Sequence, residues 1–143
     1  MVSPNGAIIL MLVVILLIGG AILAVIALSK KDKPKDLNKA YYQAEWQKID
    51  KTLSVGDQAS YQMAILNADK LLSKAMKEAG IPGKNTGEQL KAAEGRFTDL
   101  DAVWRAHKNR NRIAHEVNAN ITKRTVATTM MTYKNALKEL RAL

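Results

Sequence analysis

Residues 110–116 read RNRIAHE, and Arg110, Asn111 and His115 within them are types that bind anions or exchange protons. They interrupt what is otherwise one amphipathic helix. An arginine on a packed face is costly without a partner, so Arg110 must be paired, or must line a cleft or an interface. Asn111 and His115 are four residues apart and therefore neighbours on a helix surface. Arg110 lies roughly 140° around the helix from His115, so the two meet only if the long arginine side chain converges on the same groove. An enzyme, a binding module and a tethered bundle each account for such residues differently.

The composition narrows the choice. The 143 residues carry a net charge of +9, and no Lys, Arg, Asp or Glu precedes residue 30. A small domain this basic implies an anionic partner, either nucleic acid or an acidic lipid surface, unless the charge serves only solubility. Cysteine is absent, which removes disulfides and thiolate metal sites. The two histidines, His107 and His115, would need carboxylates at unsuitable spacings to hold zinc. No metal and no cofactor is expected.

The elements that position these residues begin with an apolar run. Residues 7–28, AIILMLVVILLIGGAILAVIAL, carry no charge and as a helix reach roughly 33 Å, enough for a hydrocarbon core of about 30 Å. A cleaved secretory signal fits poorly: no Lys or Arg precedes the run, and Ala27-Leu28-Ser29 is a weak cleavage site. We therefore read residues 1–29 as a transmembrane anchor, 30–36 as a basic juxtamembrane linker, and 37–143 as a helical domain. The segment KKDKPKDLNK after the run has five lysines and MVSPNG before it has none. The bilayer is thus one expected partner, with the N-terminus outside and the C-terminal domain cytoplasmic.

The fold class expected is all-α: one transmembrane helix, then an antiparallel bundle of four main helices plus one short helix. Tyr42, Trp46, Ile49 and Leu53 mark a helix over about 37–54, ended by Gly56. Asp57 caps the next, over 58–79, with Tyr61, Ile65, Ala68, Leu72, Ala75, Met76 and Ala79 as its stripe. Thr86 with Gln89 reads as a capping box for the short helix. Thr98 or Asp99 opens the helix carrying RNRIAHE, which runs to 116–118. Asn120 or Thr122 caps the last helix, marked by Val126, Met130, Tyr133, Leu137 and Leu140. The loop IPGKNTG is not a phosphate-binding loop, because Asn85 follows Lys84 and a helix precedes it.

On a wheel, Asp101, Arg105, Lys108, Asn109, Arg112 and Glu116 form the solvated side of the RNRIAHE helix. Leu100, Val103, Trp104, His107, Asn111, Ala114 and Asn118 face the other way, with Arg110 and His115 at opposite margins. The plain account is a buried network in which His107, Asn111 and Asn118 satisfy one another while Arg110 reaches water.

The pattern R-N-x-x-x-H, Arg110 to His115, resembles the motif of the HEPN superfamily: an arginine, a polar residue, and a histidine four to six residues after the arginine. HEPN domains are small helical bundles with the motif on a late helix, and the resemblance covers roughly residues 37–143. It implies RNA binding and, in many members, metal-independent cleavage. A neutral His115 would take a proton from a ribose 2′-hydroxyl, Arg110 would neutralise the phosphate, and Asn111 would orient the imidazole or a phosphate oxygen. Acid and base roles need a second histidine, hence a homodimer with a shared groove. Arg105, Lys108 and Arg112 would hold the RNA backbone, and a regulatory protein could control the domain. The alternative is a non-catalytic tethered bundle that docks a protein or an anionic membrane.

Overall fold

The computed structural model describes residues 4–28 and 36–143. The expected linker, residues 30–36, lies outside the described residues apart from Asp36. The chain divides into two units, one containing the apolar N-terminal helix and one containing everything from Pro34 onward.

Helix α1, Pro4–Leu28, begins with proline at its first position, where a missing N–H costs nothing. Its side chains from Ile8 to Val25 are largely exposed and apolar. It is long and apolar enough to cross a membrane.

Five further helices make an all-helical bundle, and among the described residues there is no strand. They are α2 (Lys39–Ser54), α3 (Gln58–Glu78), α4 (Thr86–Ala92), α5 (Leu100–His115) and α6 (Lys123–Glu139). Local chemistry sets most of their starts. The Asn38 carboxamide accepts from the Tyr41 amide at 3.1 Å. Asp57 and Ser60 cap each other's amides, at 2.7 and 3.2 Å. The Asp99 carboxylate accepts from Ala102 N–H and the Thr122 hydroxyl from Thr125 N–H. Each such cap is worth about 1 kcal/mol.

Helix α4 starts differently from the capping box expected at Thr86. Asn85 is its cap, accepting from the Glu88 amide at 2.9 Å, and Glu88 accepts from the Lys84 amide. Asn85 supplies the cap oxygen one residue earlier, so the Thr86 hydroxyl is free to bond elsewhere. Helix α5 also ends earlier than 116–118, because Glu116 turns to an extended backbone.

Helix α3 is the hub, packing against α2, α4, α5 and α6. Its Ile65, Leu72 and Met76 join Tyr42, Leu90, Tyr133 and Leu137 as fully buried side chains. Two glutamines strap the α5–α6 loop to it. Gln58 donates to the Ile121 carbonyl and accepts from its amide, both at 2.9 Å, and Gln62 donates to the Ala119 carbonyl at 2.8 Å. Two hydrogen bonds tie Gln89 of α4 to Ser73 of α3. One charged side chain, Asp69, sits among these core residues at 2 % exposure.

Candidate functional site

A carboxylate this deep needs compensation, and the surrounding helices supply it. His107 Nδ1 of α5 donates to Asp69 Oδ1 at 2.8 Å, and the Tyr133 hydroxyl of α6 donates to the same oxygen at 3.0 Å. The Thr86 hydroxyl at the start of α4 donates to Oδ2 at 3.3 Å. Arg110 Nε lies 3.4 Å from Oδ2, an ion-pair contact without the alignment of a hydrogen bond. One residue from each of α4, α5 and α6, with Arg110 besides, therefore converges on one carboxylate of α3.

A second row of bonds joins the same side chains. Arg110 Nη1 donates to Asn111 Oδ1 at 3.1 Å, and Asn111 Nδ2 faces His107 Nε2 at 3.2 Å. Because the Asn111 oxygen is taken by Arg110, its amide must donate to Nε2. His107 is then neutral, with its proton on Nδ1 toward Asp69. Burial is the main cause that holds the Tyr133 phenol far above the ordinary tyrosine range. The Asp69 charge and hydrogen bond add to it, and Arg110 opposes it.

The packed side of α5 is Val103, Ala106, His107 and Ile113. Arg110 falls within this stripe and not at its margin, whereas Ala114 is exposed. The packed side is turned from the expected one because Ala106 and Ile113, which the wheel assigned to neither side, are residues that pack. Of the polar network expected, His107 and Asn111 do bond each other. Asn118 is exposed beyond the end of α5 and takes no part.

Arg110 also helps wall an open groove of about 1180 Å³. Lys70, Lys74, Lys77 and Glu78 of α3 line it, together with Asp69, Thr86 and the apolar Met63, Leu66 and Ala114. Lys74 is partly committed, 3.2 Å from Glu78 and over the Tyr41 ring. Lys70 and Lys77 form no ion pair among the described residues.

The structure thus brings Arg110 and Asn111 together and leaves His115 apart. His115 is the last residue of α5, exposed, and not in the groove wall. Arg105, Lys108 and Arg112 are exposed and also outside it, Arg105 lying 3.7 Å from Asp99. The groove's cations come from α3 instead. The sequence reading missed Asp69, although a charge between Ile65 and Leu72 on an apolar stripe is a visible signal. It also missed Tyr133 and Thr86 as polar partners, having used one as a core marker and the other as a cap. Compared with protein-family models, curated proteins and solved structures, the chain matches none of them.

Proposed function

We propose that this chain is a membrane-tethered, HEPN-like domain that binds RNA, with the α3 lysines along the phosphate backbone and Arg110 gripping a phosphate between α3 and α5. The observation that carries this reading is the placement of Arg110, which is fixed against Asp69 and Asn111 yet walls a lysine-edged groove. Residues 70 to 77 cover about 10 Å of helix axis, a span over which a nucleic-acid strand offers two or more phosphates. The +9 charge supports a polyanionic partner. Helix α1 would hold the domain at the bilayer, and the five lysines after it favour the cytoplasmic side.

The test is a salt titration of single-stranded RNA binding to the full-length chain in a neutral detergent. Each phosphate contact contributes about 0.7 to the slope of log affinity against log salt. Lys70→Gln and Lys77→Gln should each lower that slope by about 0.7. Wild-type protein that ignores RNA, or variants with an unchanged slope, would sink the reading. Binding to anionic vesicles alone would favour a tethered bundle docked on an acidic surface.

Cleavage is a second reading, and one observation favours it: His115 is exposed and the Arg110 side chain is 36 % exposed, so both are open to a second copy. Two copies would have to bring one His115 to the other's Arg110. His115→Ala should then abolish metal-independent cutting while RNA binding survives. A chain that stays monomeric at high concentration would rule cleavage out.

A further inference from the structure

We infer that Asp69, His107 and Asn111 are positioning residues for Arg110, holding its guanidinium in one orientation for an anionic ligand in the groove. The inference deepens the RNA-binding reading and rests on it for the identity of that ligand.

The four side chains close a ring. Arg110 Nη1 donates to Asn111 Oδ1, Asn111 Nδ2 donates to His107 Nε2, and His107 Nδ1 donates to Asp69 Oδ1. Asp69 Oδ2 then faces Arg110 Nε, which completes the circuit. Every donor in the chain runs one way, from arginine to carboxylate. A proton on His107 Nε2 would set two donors against each other at Asn111. Turning the amide over would only move that clash to Arg110. One imidazole tautomer and one amide orientation therefore satisfy all the links.

The anchor at the far end is firm, because Tyr133 and Thr86 also donate to Asp69. Helix α4 closes over the imidazole, with Gly87 placed so that a Cβ there would lie 3.8 Å from His107 Nε2. With Nε turned to Asp69 and one Nη1 hydrogen given to Asn111, Nη2 and the second Nη1 hydrogen are the donors left for a phosphate. A long side chain fixed in this way loses less freedom on binding than one that must first be ordered.

Two measurements on the full-length chain in neutral detergent test this. The first is ¹⁵N NMR of the side chains. The His107 ring should carry its proton on Nδ1 at neutral pH, and Arg110 should rotate more slowly about Nε–Cζ than exposed Arg112. Asn111→Ala should release that rotation. A proton on Nε2, or an Arg110 as free as Arg112 in the wild type, overturns the inference whether or not RNA binds. The second is a double-mutant cycle on RNA affinity with Asn111→Ala and Arg110→Gln, the glutamine keeping a donor for Asp69. Asn111→Ala alone should weaken binding roughly fivefold, as expected for one lost ordering hydrogen bond, and should add nothing in the Arg110→Gln background. Equal effects in both backgrounds would make Asn111 a general structural residue and refute the positioning role. Should Asn111→Ala not fold, Asn111→Ser serves in both measurements. Wild-type protein that shows the NMR pattern but binds no RNA would retire the RNA reading and leave the positioning intact.

Discussion

Asp69 is a single negative charge among core side chains, so its removal has consequences for every group aimed at it. Asp69→Ala leaves the Arg110 charge without its counter-ion and strands the polar ends of His107 and Tyr133. Breaking a buried pair costs about 3–5 kcal/mol, and the partial exposure of Arg110 places this case near the lower figure. Chemical denaturation of the variant should read about 3 kcal/mol of lost stability. Tyr133 supplies a pH signature. Its folded pKa is raised, so the folded state keeps a proton that the unfolded chain releases near pH 10. Its contribution is therefore complete below about pH 10 and is lost as pH rises further. Thermal melts between pH 8 and 11 should fall steeply at the alkaline end, and Tyr133→Phe should flatten that fall while costing about 1 kcal/mol at neutral pH. Tyr42, raised by burial and by its bond to Glu78, adds to the same alkaline loss and survives in that variant. At this scale the sequence was legible where one helix decides. His107 and Asn111 are one turn apart on α5, and their bond could be foreseen. Asp69 is 38 residues from His107, and no local pattern pairs them.

Among the elements, α4 is the one whose docking shapes the site, because it delivers Thr86 to Asp69. Gly83, just before it, has φ +150°, and a Cβ there would lie 2.5 Å from the Gln89 amide nitrogen. Gly83→Ala should push α4 off α3 and cost about 1–3 kcal/mol, measured as a lower melting temperature. The glutamine it would strike is the one tied to Ser73, so the damage should spread along that seam. Helix existence, approximate limits and most caps could be read from sequence, since Asp57, Asp99 and Thr122 act within their own turns. The cap of α4 could not, because Asn85 and Thr86 are adjacent cap-forming types, and Asn85 takes the cap while the Thr86 hydroxyl bonds Asp69 of α3. The rotational phase of α5 also escaped the wheel. Which of its small residues pack is set by the helices alongside it.

For the whole molecule, the sharpest division is between an apolar helix with its side chains exposed and a basic domain with its own core. If α1 anchors the chain, the full-length protein should sediment with membranes and resist extraction by high salt, yielding only to detergent. Deleting residues 1–28 should send the domain to the soluble fraction. An anchored domain that salt alone releases would point to lysine contacts with headgroups in place of a span. The division itself was plain in the sequence, because the charge begins only after residue 29. The groove was not, since its cations lie on α3 and its arginine on α5. The chain also carries its own optical probes. Of its two tryptophans, Trp46 is buried near Lys134 of α6, and Trp104 sits edge-on to His107, with ring centres 6.1 Å apart. In a Trp46→Phe background, the glow of the remaining indole would report how α5 holds that histidine, with no dye attached.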